Sequence, residues 1–160
     1  MDNKIYIGID PGKTGAIAYI SNQDVAINDF CDFKKIELLN FYSQSLPSDS
    51  IKVAIEKATA RPQQGVVSVF NFGVSYGWWL GALEYQNLKY TVARPQEWRK
   101  EFFSSGQKLN YRARKKASLE KARELFPNIA EFFLRRVKDD GRAEALLIAE
   151  WLRRCDQVLM

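Results

Sequence analysis

Residues 4–30 read KIYIGIDPGKTGAIAYISNQDVAINDF. KIYIGI at 4–9 is a short apolar run that ends in the turn Asp10-Pro11-Gly12. AIAYI at 16–20 reads as a second strand, Asn22-Gln23-Asp24 breaks it, and VAINDF at 25–30 reads as a third. Breaks this short predict an antiparallel meander.

Further along, the pattern alternates. Residues 36–46 read as a helix closed by Pro47, and IKVAI at 51–55 as a buried strand rich in β-branched residues. Val66 to Gln86 reads as a helix, and Gly73, Gly77 and Gly81 fall four apart on one of its faces. Glycine weakens a helix by about 1 kcal/mol each, so the alternatives are a loop or simple packing on the sheet; the favoured reading is close backbone packing, across a dimer among other places. Tyr90 to Ala93 is another short strand. Arg112 to Phe126 is a basic helix stopped by Pro127, and a final apolar helix runs from near Gly141 through Glu144 to Leu152. The order β-β-β-α-β-α-β-α-α predicts an α/β domain with a mixed five-stranded sheet. No repeat, low-complexity run or linker divides residues 1–160, so one domain is expected.

Composition excludes much chemistry. Apolar residues are 46% and aromatics 13%, which is a core-forming composition. There is no histidine, so His-dependent triads, dyads and His-ligated zinc are ruled out. Two distant cysteines, Cys31 and Cys155, argue against a disulfide framework and for a reducing cytoplasmic compartment. Any metal must then be a hard ion held by carboxylates, Mg²⁺ or Mn²⁺. MDNKIYIGID lacks the apolar core of a signal peptide. The uncharged stretch between Arg61 and Glu84 nearly reaches the length of a membrane span, but Gln63, Gln64, Ser68, Asn71 and Ser75 interrupt it, and no membrane association is expected.

The net charge is +5, from 24 basic and 19 acidic residues. Residues 94–123 hold ten Lys/Arg and three Asp/Glu, a local balance of +7, which leaves −2 for the remainder. One basic segment on a near-neutral body points to a polyanion.

Gly8-Ile9-Asp10-Pro11-Gly12-Lys13-Thr14 imitates a phosphate-binding P-loop, but has three residues between its glycines where four are needed. It also leads into a strand-like run, not a helix, so no nucleotide cofactor is expected. Asp10 instead ends an apolar strand, where a carboxylate can reach a metal ion. The alternative is a plain Asp-Pro-Gly turn. Glu56 ends IKVAI in the same way; its alternative is a solvated glutamate paired with Lys57 or Arg61. Asp139-Asp140-Gly141-Arg142-Ala143-Glu144 opens the last helix, with Asp140 and Glu144 four apart on one face. Asp139 is out of phase with Glu144 and is the better candidate for helix capping. Such acids repel one another unless cations join them, and two divalent ions would permit phosphodiester hydrolysis.

The chain resembles RuvC-type Holliday junction resolvases of the ribonuclease H-like superfamily, in the phage and organellar branch. The matching segments are IGIDPGKTGAIA, VAIEK, QQGVVSVFNFG, ARPQEWRK, KKASLEKARELFP and DDGRAEALLIAEWL, which follow the family's order and cover nearly the whole chain. The resemblance implies a ribonuclease H-like fold and a crossover junction endodeoxyribonuclease. It implies metal-binding acids at Asp10, Glu56, Asp140 and Glu144, two Mg²⁺ or Mn²⁺ ions per subunit, a homodimer, and action in host cytoplasm. Bacterial members place the last two acids three apart, whereas here they are four apart, so Asp139 either assists or replaces Asp140. An active-site lysine is implied in the basic helix, at Lys116 or Lys115, to stabilise phosphoryl charge. Lys116 is carried forward as the catalytic candidate.

The expected DNA contacts are Lys13, Lys108, Arg112, Arg114, Lys115 and Lys116 on phosphates, with Gln63, Gln64 and Phe70 near the junction centre. Phe70 and Phe72 are also candidates for core or dimer contacts, and Trp78 and Trp79 for core or interface. The rival functions are a broader flap or branched-DNA endonuclease on the same fold and a non-catalytic junction-binding protein.

Overall fold

The computed structural model describes residues 4–30, 37, 39–40, 44, 47–60, 64–104 and 109–158. Five strands form one sheet in the order β3-β2-β1-β4-β5. They are β1 Ile5–Asp10, β2 Ala16–Ile20, β3 Val25–Asp29, β4 Ile51–Glu56 and β5 Tyr90–Ala93. β1, β2 and β3 form the antiparallel meander, while β1, β4 and β5 run parallel. The sheet is therefore mixed, and the fold is ribonuclease H-like.

Alternation along the strands divides the core into two layers. Ile5, Ile7, Ile9, Ile17, Val53 and Ile55 meet Trp79, Ala82 and Leu83 of α1 (Val66–Tyr85). On the opposite face Tyr6, Ala16, Ala18 and Ala54 meet α5 (Asp140–Val158), whose Ala143 to Ala149 are buried. The small residues on this face let α5 lie close. Gly8 of β1 is required there, because a β-carbon at that position would stand 2.1 Å from the Ala145 carbonyl oxygen. The described residues also form α2 (Pro95–Phe102), α3 (Tyr111–Leu125) and α4 (Pro127–Phe133).

Several sequence expectations change. α2 and α4 are short helices absent from the expected order; each begins at a proline, whose fixed φ suits the first helical turn. α5 runs to Val158, six residues past the expected end. The expected helix at 36–46 falls largely outside the described residues, although Glu37, Leu39 and Asn40 are helical.

The Gly73, Gly77 and Gly81 stripe does not pack on the sheet: a β-carbon at any of them would meet nothing within 4 Å. The core of α1 is its Trp79, Ala82 and Leu83 side, while Val66, Phe70 and Val74 stand exposed beside the glycines. Among the described helices α1 alone has the length and apolarity to cross a membrane.

Candidate functional site

β1 and β4 are parallel neighbours with Ile9 opposite Ile55, so Asp10 and Glu56 emerge side by side at the same sheet end. The first turn of α5 is held at that end. A β-carbon at Gly141 would stand 2.1 Å from the Thr14 carbonyl oxygen, so only glycine lets this turn touch the loop after β1. Asp140 and Glu144 thereby face the two strand-end acids. α2 starts from the next strand, β5, and brings Trp98 and Arg99 to the same place.

Asp10 is buried and accepts a hydrogen bond from the Gly12 backbone N–H at 3.0 Å. The turn that imitated a P-loop therefore braces a carboxylate. Glu56 is half-buried and accepts from the Trp98 indole N–H at 3.1 Å, so it is not the solvated side chain of the alternative reading. Glu144 is buried and gathers three donors: Lys115, Ser118 at 3.1 Å, and Arg99 at 3.4 Å. Lys115 also pairs with Asp140 at 3.2 Å.

These neighbours shift the protonation equilibria. Burial raises the Asp10 carboxyl to about 6; Lys115 opposes the rise and Glu144 adds to it. Burial, then repulsion from Asp10 and Glu144, raises Glu56 to about 8. Burial pulls the Lys115 ammonium down, but Glu144 and Asp10 outweigh it and hold the pKa well above the ordinary lysine value. The cluster carries more negative charge than Lys115 and Arg99 neutralise.

Among the described residues no three carboxylates converge closely enough to share one metal ion, and the Lys115 ammonium pairs with both Asp140 and Glu144. The donor chemistry nevertheless fits a hard divalent cation. All four side chains offer oxygen, and their mutual repulsion is what such an ion relieves.

Asp10, Glu56 and Glu144 line the floor of a cleft of about 1020 Å³. Arg99, Tyr111, Arg114 and Lys115 form one wall. The first half of α1 forms the other, through Ser68, Asn71, Phe72 and Ser75, an uncharged stripe of mixed polarity. Lys13 and Gln64 also line the cleft.

Other candidates are placed elsewhere. Lys116 is solvent-exposed and pairs with Glu120 at 3.7 Å, one turn along the surface of the same helix. Arg112 is exposed and does not line the cleft. Phe70 is 68% exposed, on the apolar side of α1 away from the cleft. Trp79 is buried in the core and Trp78 is exposed. Gln63 and Lys108 lie outside the described residues. Asp139 turns away from the acids: its carboxylate binds the Arg136 backbone N–H and guanidinium, which hold its pKa low against the effect of burial.

Sequence reasoning missed Arg99 and Ser118. Arg99 donates to Ser118 at 2.8 Å and to the Arg114 carbonyl oxygen at 3.3 Å, and its guanidinium lies over the Trp98 and Phe103 rings. The signal was there in the i,i+3 amphipathy of PQEWRKEF, which buries Trp98 and turns Arg99 inward.

No protein-family model matches the sequence, and no curated protein matches it by sequence. Solved structures match by shape. RuvC from Thermus thermophilus in complex with a Holliday junction substrate superposes with a TM-score of 0.60 at 14% identity, covering 95% of this chain and 96% of that one. A second Thermus thermophilus RuvC structure gives 0.54 at 14% identity over the same shares. The chain has the fold of these RuvC structures.

Proposed function

We propose that this chain is a divalent-metal-dependent endonuclease that resolves four-way DNA junctions as a homodimer. One observation carries the reading. On a RuvC fold, three separate segments bring Asp10, Glu56, Asp140 and Glu144 to one sheet end, beside a cleft that has basic side chains on one wall. The structural neighbour bound to a Holliday junction supports branched DNA as the ligand.

In this reading Asp10, Glu56, Asp140 and Glu144 hold two Mg²⁺ or Mn²⁺ ions. Bound there, such ions polarise a phosphodiester and lower the pKa of an attacking water. The chain's own residues do the rest. Lys115 leaves its carboxylate partners and neutralises the non-bridging phosphate oxygens. Arg114 and Lys13 bind the backbone on either side, which sets register without reading sequence. Arg99 and Ser118 hold Glu144 in one rotamer. Lys115 therefore takes the active-site role first assigned to Lys116.

The homodimer reading rests on α1. Its exposed ridge of Val66, Phe70 and Val74 borders the open groove of Gly73, Gly77 and Gly81, and no charge interrupts this face. A second copy offers the matching ridge and groove. Two-fold symmetry then presents two clefts to a junction of the same symmetry.

The test is cleavage of a mobile four-way junction, a flap and a linear duplex with Mg²⁺ or Mn²⁺, by wild type and Asp10→Asn. Paired symmetric nicks in the junction alone, abolished in the variant, are expected. Equal cutting of all branched forms would mean a general structure-selective nuclease. Binding of the junction without cleavage would leave a non-catalytic junction-binding protein.

A further inference from the structure

Tyr111 opens α3 at the mouth of the cleft. Asn110 caps the helix, accepting from the Ala113 backbone N–H at 2.9 Å, so Tyr111 stands on a fixed helical turn. Its ring is in no core, is 61% exposed, and lies 5.7 Å from the Lys115 ammonium. Lys115 in turn pairs with Asp140 and Glu144. A flat aromatic surface therefore lines the cleft one side chain away from the acid cluster, with much of its area open to solvent. An isolated exposed aromatic needs no explanation. One placed between solvent and a cationic, acid-floored cleft has a natural ligand in the flat face of a nucleobase.

We propose that Tyr111 is the stacking platform for one unstacked base beside the phosphodiester to be cut, which rests on the branched-DNA reading above. The phosphate lies against Lys115 and the adjoining base against the Tyr111 ring. A base inside a continuous duplex must give up its own stacking to reach the ring, whereas a base at a branch point has little stacking to lose. Tyr111 thereby favours branch points over linear duplex. Stacking on one aromatic side chain changes affinity by about five- to 150-fold.

The experiment maps the cut on a four-way junction with wild type, then places 5-iodouracil at the nucleotides flanking it. Irradiated complexes are formed in an Asp10→Asn background, so that no strand is cut. A crosslink to the peptide carrying Tyr111 is expected, kept in Tyr111→Phe and lost in Tyr111→Ala. In the catalytically intact chain Tyr111→Ala cuts the junction about tenfold or more slowly, while Tyr111→Phe stays within about twofold. A chain that cuts junctions but crosslinks elsewhere, or a Tyr111→Ala variant that cuts at the wild-type rate, overturns the proposal. So does a Tyr111→Phe variant as slow as Tyr111→Ala, which would assign the effect to the hydroxyl. A wild type that cuts no branched DNA would instead overturn the functional reading on which the proposal rests.

Discussion

Lys115 and Lys116 are adjacent in sequence and about 100° apart around a helix. That rotation puts the first among four carboxylates and the second in solvent beside Glu120. Lys115→Met is expected to lower single-turnover junction cleavage by about 100-fold or more, the scale of losing one charge-stabilising group. Lys116→Met is expected to stay within about threefold, the scale of a surface phosphate contact. Equal losses in both would reject the assignment. Glu56 supplies a pH prediction. Its carboxyl is raised from 4.5 to about 8, so the native state binds that proton more tightly than the unfolded chain does. The stability it contributes is full below about 4.5 and is lost as pH rises through about 8; Asp10, raised to about 6, adds to the earlier part of that loss. Without divalent ions, melting temperature should therefore fall between pH 5 and pH 8.5. Glu56→Gln should flatten the fall and melt about 2–4 °C higher than wild type at pH 8.5, for each kcal/mol of repulsion removed. Calorimetric scans at both pH values check this, and an unchanged pH slope in the variant would refute it.

The behaviour of the elements was unevenly legible. All five strands could be read from KIYIGI, AIAYI, VAINDF, IKVAI and the run at 90–93: the central β1 is buried on both faces and apolar throughout, while the edge strands β3 and β5, only partly buried, still carry β-branched and aromatic residues between turn signals. α2 went unread although its residues are amphipathic, since eight residues are barely two turns and leave the helical period weak against the alternatives until Trp98 is seen buried. The glycine stripe of α1 was legible as a face but not as a surface, because sequence does not say which side of a helix meets the sheet. Trp79, Ala82 and Leu83 decide that, and they leave the glycines open. Gly8 is the reverse case, an inconspicuous residue on which the α5–β1 contact depends. Gly8→Ala is expected to destabilise the protein by about 1–3 kcal/mol or more, because its β-carbon would meet backbone atoms of α5 that cannot rotate away. Urea denaturation measures it. A loss under about 0.5 kcal/mol would mean that the helix shifts without cost.

At the scale of the whole molecule, the exposed apolar face of α1 and the cleft lie on two sides of one helix, so the proposed dimer contact and the proposed active site share an element. Val74→Glu, in the middle of the exposed ridge, is expected to give a monomer in sedimentation at concentrations where wild type is dimeric. Each monomer should still nick a junction, but the paired symmetric cuts should become single. A variant that sediments like wild type would place the interface elsewhere. The sequence by itself determined the strand order of the meander, the absence of histidine chemistry, the basic segment at 94–123 and the four acids as candidates. Those follow from residue type and local period. Only the tertiary structure decided that Asp139 belongs to Arg136, that Lys115 and not Lys116 meets the acids, and that Arg99 and Ser118 hold Glu144. Each of those outcomes depends on which way a helix is rolled against the sheet, and that angle is set by close contacts such as Gly8 on α5 and Gly141 on Thr14, between residues far apart in the chain.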